Sequence, residues 1–304
     1  MKKTARSEML ANVMEYDLPT DIMVETNAFC NLQCIMCPQK EIRRPKGEMS
    51  FNLWEKIVSE LAADFPETTL WPAIMGEPLM QGEEFFKYVS LAKRKGIRRV
   101  HMNSNFNLFD KGLVSPLFDS GLDSIYIGVD ASTEETYRKI RVGGNFYKLL
   151  ENIELLVNEK NKRNSPLQVS LLMILQNENA SEEQSFIDYW KKKALGVTLR
   201  LRYRISWGGS VEPSKEIIAA SQSEARYPCL WLLRQMSVLW DGRIPWCDSP
   251  NEYFAGDANS QSLKEVWTGA LKKVRDRQLS GDFSMLPCNN CSDWNCGKSV
   301  NLKV

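Results

Sequence analysis

The sequence predicts an α/β protein: a partial (β/α)6 TIM-like barrel followed by a smaller α/β unit. Three observations lead there. Through the first two thirds of the 304 residues, short apolar runs alternate with helix-period segments, the mark of βα units on a parallel sheet. About six such units can be counted, too few to close an eight-fold barrel. At Ser206 the character changes to a polar, Gly-, Ser- and Pro-rich stretch, SWGGSVEPSKEIIAASQSEARYP, after which cysteines recur.

The elements follow in order. Ile22 to Glu25 (IMVE) reads as the first strand, and a cysteine-bearing loop follows it. Ser50 is placed to cap a helix with Leu53, Ile57 and Leu61 on one stripe. Thr69 to Ile74 reads as the second strand, although Pro72 lies inside it. A helix over 83–95 should stop at Gly96, which can take the left-handed conformation of a helix end. Strands are expected at 99–104, 124–129, 169–175 and 197–205, with helices over 113–118, 134–140, 147–160 and 181–193 between them. Beyond the change at Ser206, Asp241-Gly242 between two apolar runs is a hairpin signal. Ser262 and Glu265 form a capping box that opens a helix with Leu263, Val266, Trp267, Ala270, Leu271 and Val274 on one face. The domain reading is an N-terminal arm (1–19), a barrel (20–205), a linker or lid (206–228) and a smaller C-terminal unit (229–304).

With 43% hydrophobic and 25% charged residues, the chain can bury a sizeable core. A net charge of +1 carries no basic excess that would suggest nucleic acid. No run approaches the roughly 20 apolar residues of a membrane span, and the first residues lack a signal-peptide core. The expectation is a cytoplasmic protein. In that reducing compartment, clustered thiols among its eight cysteines are ligands or catalysts rather than disulfides.

The run CNLQCIMC sets Cys30, Cys34 and Cys37 as C-x3-C-x2-C just after the first strand, where barrel active sites collect. Soft thiolates suit iron–sulfur clusters and zinc. A structural zinc site takes four protein ligands. Here the local count is three, and the one histidine of the chain is far along it, at His101. A [4Fe–4S] cluster on three thiolates keeps one iron open to a small molecule. A zinc knuckle that borrows a distant cysteine is the other reading.

This spacing resembles the signature of the radical S-adenosylmethionine (SAM) enzymes. In that family the open iron binds SAM, an electron from the cluster splits it, and the 5′-deoxyadenosyl radical takes a hydrogen atom from a substrate. The resemblance implies SAM contacts elsewhere. Met75-Gly76-Glu77-Pro78 looks like the family's GGE motif, which holds the SAM amino group, with Met75 in place of the first glycine. Ser104-Asn105 resembles its TNG turn, with Phe106 where glycine is usual. Asp130 and Ser132 follow the fourth strand, and Ser132 takes the place of a ribose contact. Arg141 matches the arginine that pairs with the SAM carboxylate, a task suited to a planar fork. Met36 stands beside the adenine, where the family usually has an aromatic.

The second set of cysteines, C-x12-G-x4-C…C-x2-C, resembles the auxiliary-cluster extension of the same enzymes, called SPASM when full and Twitch when short. The resemblance implies a second [4Fe–4S] cluster on Cys229, Cys247, Cys288 and Cys291. A zinc ribbon from the same four residues is the alternative. Cys296 is left over: a substitute ligand, a spectator, or a hydrogen donor to a substrate radical.

In Leu199-Arg200-Leu201-Arg202-Tyr203-Arg204 the arginines share one strand face, and the apolar face should meet the helices. That would aim three guanidinium groups into the barrel, toward a hydroxyl-rich or anionic substrate; the other reading is an edge strand whose arginines are solvated. Arg202 and Arg204 are candidates for proton transfer, and His101 is expected to be a packed histidine.

The resemblance thus implies a radical SAM oxidoreductase. It would dehydrogenate a small molecule such as a sugar or aminocyclitol, with the auxiliary cluster as electron acceptor and a flavodoxin- or ferredoxin-type electron donor. The alternatives are an epimerase with Cys296 as hydrogen donor, a peptide-modifying maturase, and, more remotely, a zinc-binding structural module.

Overall fold

The computed structural model describes residues 17–193, 195–223, 226–250, 253–295 and 299–303. Most of the expected N-terminal arm, and Cys296, lie outside the described residues. The barrel runs β1 (Asp21–Val24), α1 (Phe51–Asp64), β2 (Thr69–Trp71), α2 (Glu83–Arg94), β3 (Arg99–Ser104), α3 (Val114–Asp119), β4 (Ser124–Gly128), α4 (Glu134–Ile140), α5 (Phe146–Lys162), β5 (Gln168–Leu175), α6 (Glu183–Lys193) and β6 (Thr198–Tyr203). After it come α7 (Lys215–Ser223), α8 (Leu230–Arg234), β7 (Gln235–Val238), β8 (Arg243–Pro245), β9 (Phe254–Asp257), α9 (Leu263–Thr268), α10 (Ala270–Leu279) and β10 (Ser299–Lys303).

Strands β1 to β6 pair in sequence order, each pair parallel, as the expected partial barrel requires. The alternation read in the sequence explains the layering. Ile22, Val24, Val100, Met102, Ile125, Ile127, Leu171, Met173, Leu199 and Leu201 are buried against Trp54, Ile57, Val89, Ile153, Leu156 and Trp190 of the helices. Each such side chain, fully buried, is worth about 1.5–3 kcal/mol. Ser50 caps α1 by accepting from the Leu53 N–H at 3.2 Å.

Three expectations are corrected. The second strand ends at Trp71, because Pro72 has no N–H for the ladder. The turn at Asp241-Gly242 forms, with Gly242 at φ +94° and its N–H on the Leu239 carbonyl, but its arms part. Strand β7 pairs in parallel with β1, while β8 pairs antiparallel with β9. The long helix after Ser262 is two helices, broken at Gly269, whose ψ of −96° leaves the helical region.

The stretch read as linker or lid carries α7. Strand β10 lies antiparallel along β6, so the sheet order is β10-β6-β5-β4-β3-β2-β1-β7. Both edges of the six-stranded core are covered by strands from beyond residue 228. Among the described residues no helix is long and apolar enough to cross a membrane.

Candidate functional site

The loop after β1 is pinned before it presents its thiols. Buried Glu25 accepts from Arg44 at 2.7 Å, joining the loop's two ends. Backbone bonds from Gln33 to Val142 and from Ile35 to Ile140 dock it on the end of α4. Leu32, Cys34, Met36 and Ile140 form a small apolar cluster, with Cys30, Cys37 and Ile174 packed against it. Burial raises the Cys30 thiol to about 11 and the Cys37 thiol to about 12. Without a cation these groups stay protonated at neutral pH, and a bound metal would convert them to thiolates. Among the described residues no three Cys, His, Asp or Glu side chains are grouped to share a single metal ion. Thiolates on an iron–sulfur cube bind different irons and need only surround it, so the triad suits that larger centre.

Glu77 sits beside the loop, fully buried. Its carboxylate accepts from Ser104 Oγ (2.7 Å), the Asn105 N–H (2.7 Å) and the Leu79 N–H (3.1 Å). Burial pushes its pKa up against the pull of those donors. Its own N–H donates to the Phe29 carbonyl, and Asn27 Nδ2 donates to its carbonyl, so the Gly76-Glu77 turn and the thiol loop are bonded together. Asn105 reaches the loop directly, with Nδ2 at 2.9 Å from Asn31 Oδ1 and 3.9 Å from Cys30 Sγ. Ser104 therefore braces Glu77, and Asn105 touches the thiol loop.

Phe106 stands at φ +60°, the left-handed region in which glycine is at ease. Its ring is fully buried and stacks on Phe109 at 4.4 Å, which offsets the strain. Phe106→Gly and Phe106→Ala both empty the ring's place, but only glycine relieves the backbone. The glycine variant is expected to be the more stable by about 0.5–1 kcal/mol, reversing the usual order. Denaturant midpoints of the two variants check this.

Arg141 Nε and Nη2 both lie 2.5 Å from Asp130 Oδ2, and Nη1 is 3.5 Å from Cys34 Sγ. Burial alone would lower the Arg141 pKa. The Asp130 carboxylate beside it outweighs burial and raises the value, so the guanidinium stays charged beside the loop. Gly128 makes room: a Cβ there would lie 1.8 Å from Arg141 Nη2. The family resemblance implies a SAM contact at Asp130. In the structure it is fully buried, with Oδ1 taking the Ile174 N–H and Oδ2 taking Arg141, so it acts on the site through Arg141. Ser132, where the resemblance implies a ribose contact, lies against the turn that leads into α6. Its Oγ meets the Glu182 carbonyl at 3.3 Å and Ser185 Oγ at 3.1 Å.

The second set of thiols converges. Cys229, Cys247, Cys288 and Cys291 line one cavity of about 70 Å³, walled by Trp207, Trp231, Trp246 and Trp294. Burial raises all four thiols, Cys229 to about 11 and Cys291 to about 12. Gln278 Nε2 lies 3.2 Å from Cys288 Sγ, and the Asp293 N–H lies 3.3 Å from Cys291 Sγ. Four free thiols around one aromatic-walled cavity fit a four-thiolate cluster.

On β6, Leu199 and Leu201 enter the core. Arg200 bonds Ser170 Oγ at 3.2 Å, with its guanidinium over the Tyr126 ring at 4.9 Å. Arg202 is exposed. Arg204 is buried, with Nη1 on Gln176 Oε1 at 3.2 Å. His101 packs between Trp71 and Tyr126, and burial lowers its pKa. The sequence reading missed Asp293, Gln278 and Trp207; the Trp-Gly-Gly run at 207–209 was the one local signal among them.

Residues 24–189 match the profile of the Radical SAM superfamily, and residues 229–292 that of an iron-sulfur cluster-binding domain, SPASM. A GTP 3′,8-cyclase of Lactiplantibacillus plantarum is 26% identical over 53% of this chain and 48% of its own. The chain spans about half the length of the first curated relatives it matches. A tungsten-containing aldehyde ferredoxin oxidoreductase cofactor-modifying protein of Pyrococcus furiosus is 27% identical over 89% of this chain and 86% of its own. Among solved structures, BtrN in complex with AdoMet and 2-DOIA superposes with a TM-score of 0.61 at 17% identity, covering 90% of this chain and 93% of that one. Streptococcus suis SuiB bound to precursor peptide SuiA superposes with a TM-score of 0.68 at 12% identity, covering 95% and 73%.

Proposed function

Because this chain belongs to the radical SAM superfamily and carries its SPASM extension, we propose that it dehydrogenates a hydroxyl-rich or anionic small molecule, with an electron acceptor cluster held by Cys229, Cys247, Cys288 and Cys291. That it is a radical SAM enzyme, using SAM, a SAM-binding [4Fe–4S] cluster and auxiliary iron–sulfur chemistry, follows from the family itself. When bound, these groups supply the electron that cleaves SAM and a place for the electron the substrate gives up.

The chain's own residues do the rest. Cys30, Cys34 and Cys37 would hold the first cluster, which would supply the site for SAM. Glu77, braced by Ser104, fixes the turn whose backbone faces the SAM amino group, and Asn105 tethers the thiol loop. Arg141, kept charged and oriented by Asp130, meets the SAM carboxylate. Met36 packs in the loop's apolar cluster and would lie beside the adenine of SAM. Arg204, whose Nη1 donates to Gln176 Oε1, and Arg202 would be the groups that meet the substrate. The electron donor is of flavodoxin or ferredoxin type, and the setting is cytoplasmic.

The observation that carries this reading is the convergence of four thiols on one cavity. The near-equal coverage with BtrN, whose complex holds AdoMet and 2-DOIA, supports a small-molecule substrate. Peptide modification is the second reading, favoured by the match of SuiB, with its precursor peptide, to 95% of this chain.

Anaerobically reconstituted protein, supplied with SAM, a reductant and a panel of sugars and aminocyclitols, tests the proposal. A product lighter by two hydrogens, with 5′-deoxyadenosine formed alongside, is expected. At saturating SAM, Cys288→Ala is expected to keep SAM cleavage and lose the oxidised product. Oxidation that survives in that variant would remove the auxiliary centre from the reaction.

A further inference from the structure

The segment after β6 takes an unusual path. Trp207 has φ +52°, and Gly208 and Gly209 follow at +68° and +89°. A bulky side chain seldom adopts that conformation, and where one does the surroundings must enforce it. Here they do. The buried Asp293 carboxylate accepts the Ser206 N–H at 2.6 Å and the Gly208 N–H at 3.0 Å. Ser206 Oγ accepts the Gly209 N–H at 3.0 Å. A Cβ on Gly208 would come within 2.9 Å of Ser249 Cβ, so the strap lies close against that residue.

The result is to aim one indole. Trp207 Nε1 donates to the Met36 carbonyl at 3.1 Å, and Met36 sits between Cys34 and Cys37. The same Trp207 lines the cavity of Cys229, Cys247, Cys288 and Cys291 and meets Trp231 edge-on. Asp293, which fixes the strap, also points its N–H at Cys291 Sγ. One chain of contacts therefore runs from a second-set thiol, through Asp293 and the strap, to the carbonyl next to a first-set thiol.

We propose that Trp207 is a positioning residue that couples the auxiliary site to the SAM-binding loop, so that a filled auxiliary cavity sets the loop for SAM. This deepens the reading given under Proposed function and rests on its assignment of the two thiol sets. The indole takes no part in bond making. It holds a backbone carbonyl in the loop, and its own position depends on the wall of the second cavity.

The test measures SAM affinity and the change in the first cluster's electron paramagnetic resonance spectrum on adding SAM, in reconstituted protein with reductant. Trp207→Phe keeps an aromatic wall but lacks the N–H. It is expected to bind SAM about three- to ten-fold more weakly, with a smaller spectral change and an unaltered content of the first cluster. Cys291→Ala, which disturbs the second cavity, is expected to weaken SAM binding similarly, and the double variant to be little worse than either single one. Unchanged affinity and spectrum in Trp207→Phe would reduce the residue to packing. Additive losses would show that the two sites do not communicate through it. Parent protein that fails to bind SAM at all would instead overturn the assignment of the first thiol set.

Discussion

Replacing any one of Cys30, Cys34 and Cys37 with alanine is expected to abolish 5′-deoxyadenosine formation and to halve the iron, from about eight to about four atoms per chain. The loop explains why no neighbour substitutes. Its thiols lie in an apolar cluster of Leu32, Met36 and Ile140, and among the described residues no other cysteine joins that cluster. Burial also raises the Cys30 and Cys37 thiols, so whichever of these remains starts from a state unfavourable to binding a cation. Iron analysis together with chromatography of the nucleoside products checks the outcome. Cleavage at the parent's rate in any of the three variants would break the assignment.

Gly76→Ala is the second large effect. A Cβ there would lie 2.0 Å from the Asn27 carbonyl oxygen and 2.8 Å from its carbon, and these are backbone atoms that cannot swing aside. Asn27 is itself buried and fastened, with Nδ2 on the Glu77 carbonyl and Oδ1 on the Phe29 N–H. The strain must then open the junction between the turn and the thiol loop. A loss of about 3 kcal/mol is expected, at the upper end for overpacking. Calorimetry should show melting lowered by about 5 °C or more, and SAM binding should be lost even where the protein still folds. A variant that melts with the parent would show that the two loops are not wedged together as described.

The barrel was legible because its cause is local. Strands such as VSLLMIL and the alternating LRLRYR carry their burial pattern in the order of residues, and the helices between them carry caps such as Ser50. Cys30, Cys34 and Cys37 were legible for the same reason, being close in the chain. The pairing of β7 with β1 was not, since an Asp-Gly turn specifies a reversal and not which neighbour each arm will find. A carboxylate after a strand can serve ligand or protein alike, so the pairing of Asp130 with Arg141, eleven residues on, was not legible in the sequence. Trp207 was hidden within a stretch whose composition reads as loop, and its role depends on Asp293 far along the chain.

The strands β7 and β10 carry a consequence for biosynthesis. A ribosome releases β1 to β6 well before either flanking strand, so for that interval the nascent half-barrel offers open ladders at both margins. Such margins invite pairing with other chains. Slowed translation or scarce chaperones should therefore harm the yield of this protein at the stage before residues 235–238 and 299–303 emerge, however stable the finished sheet.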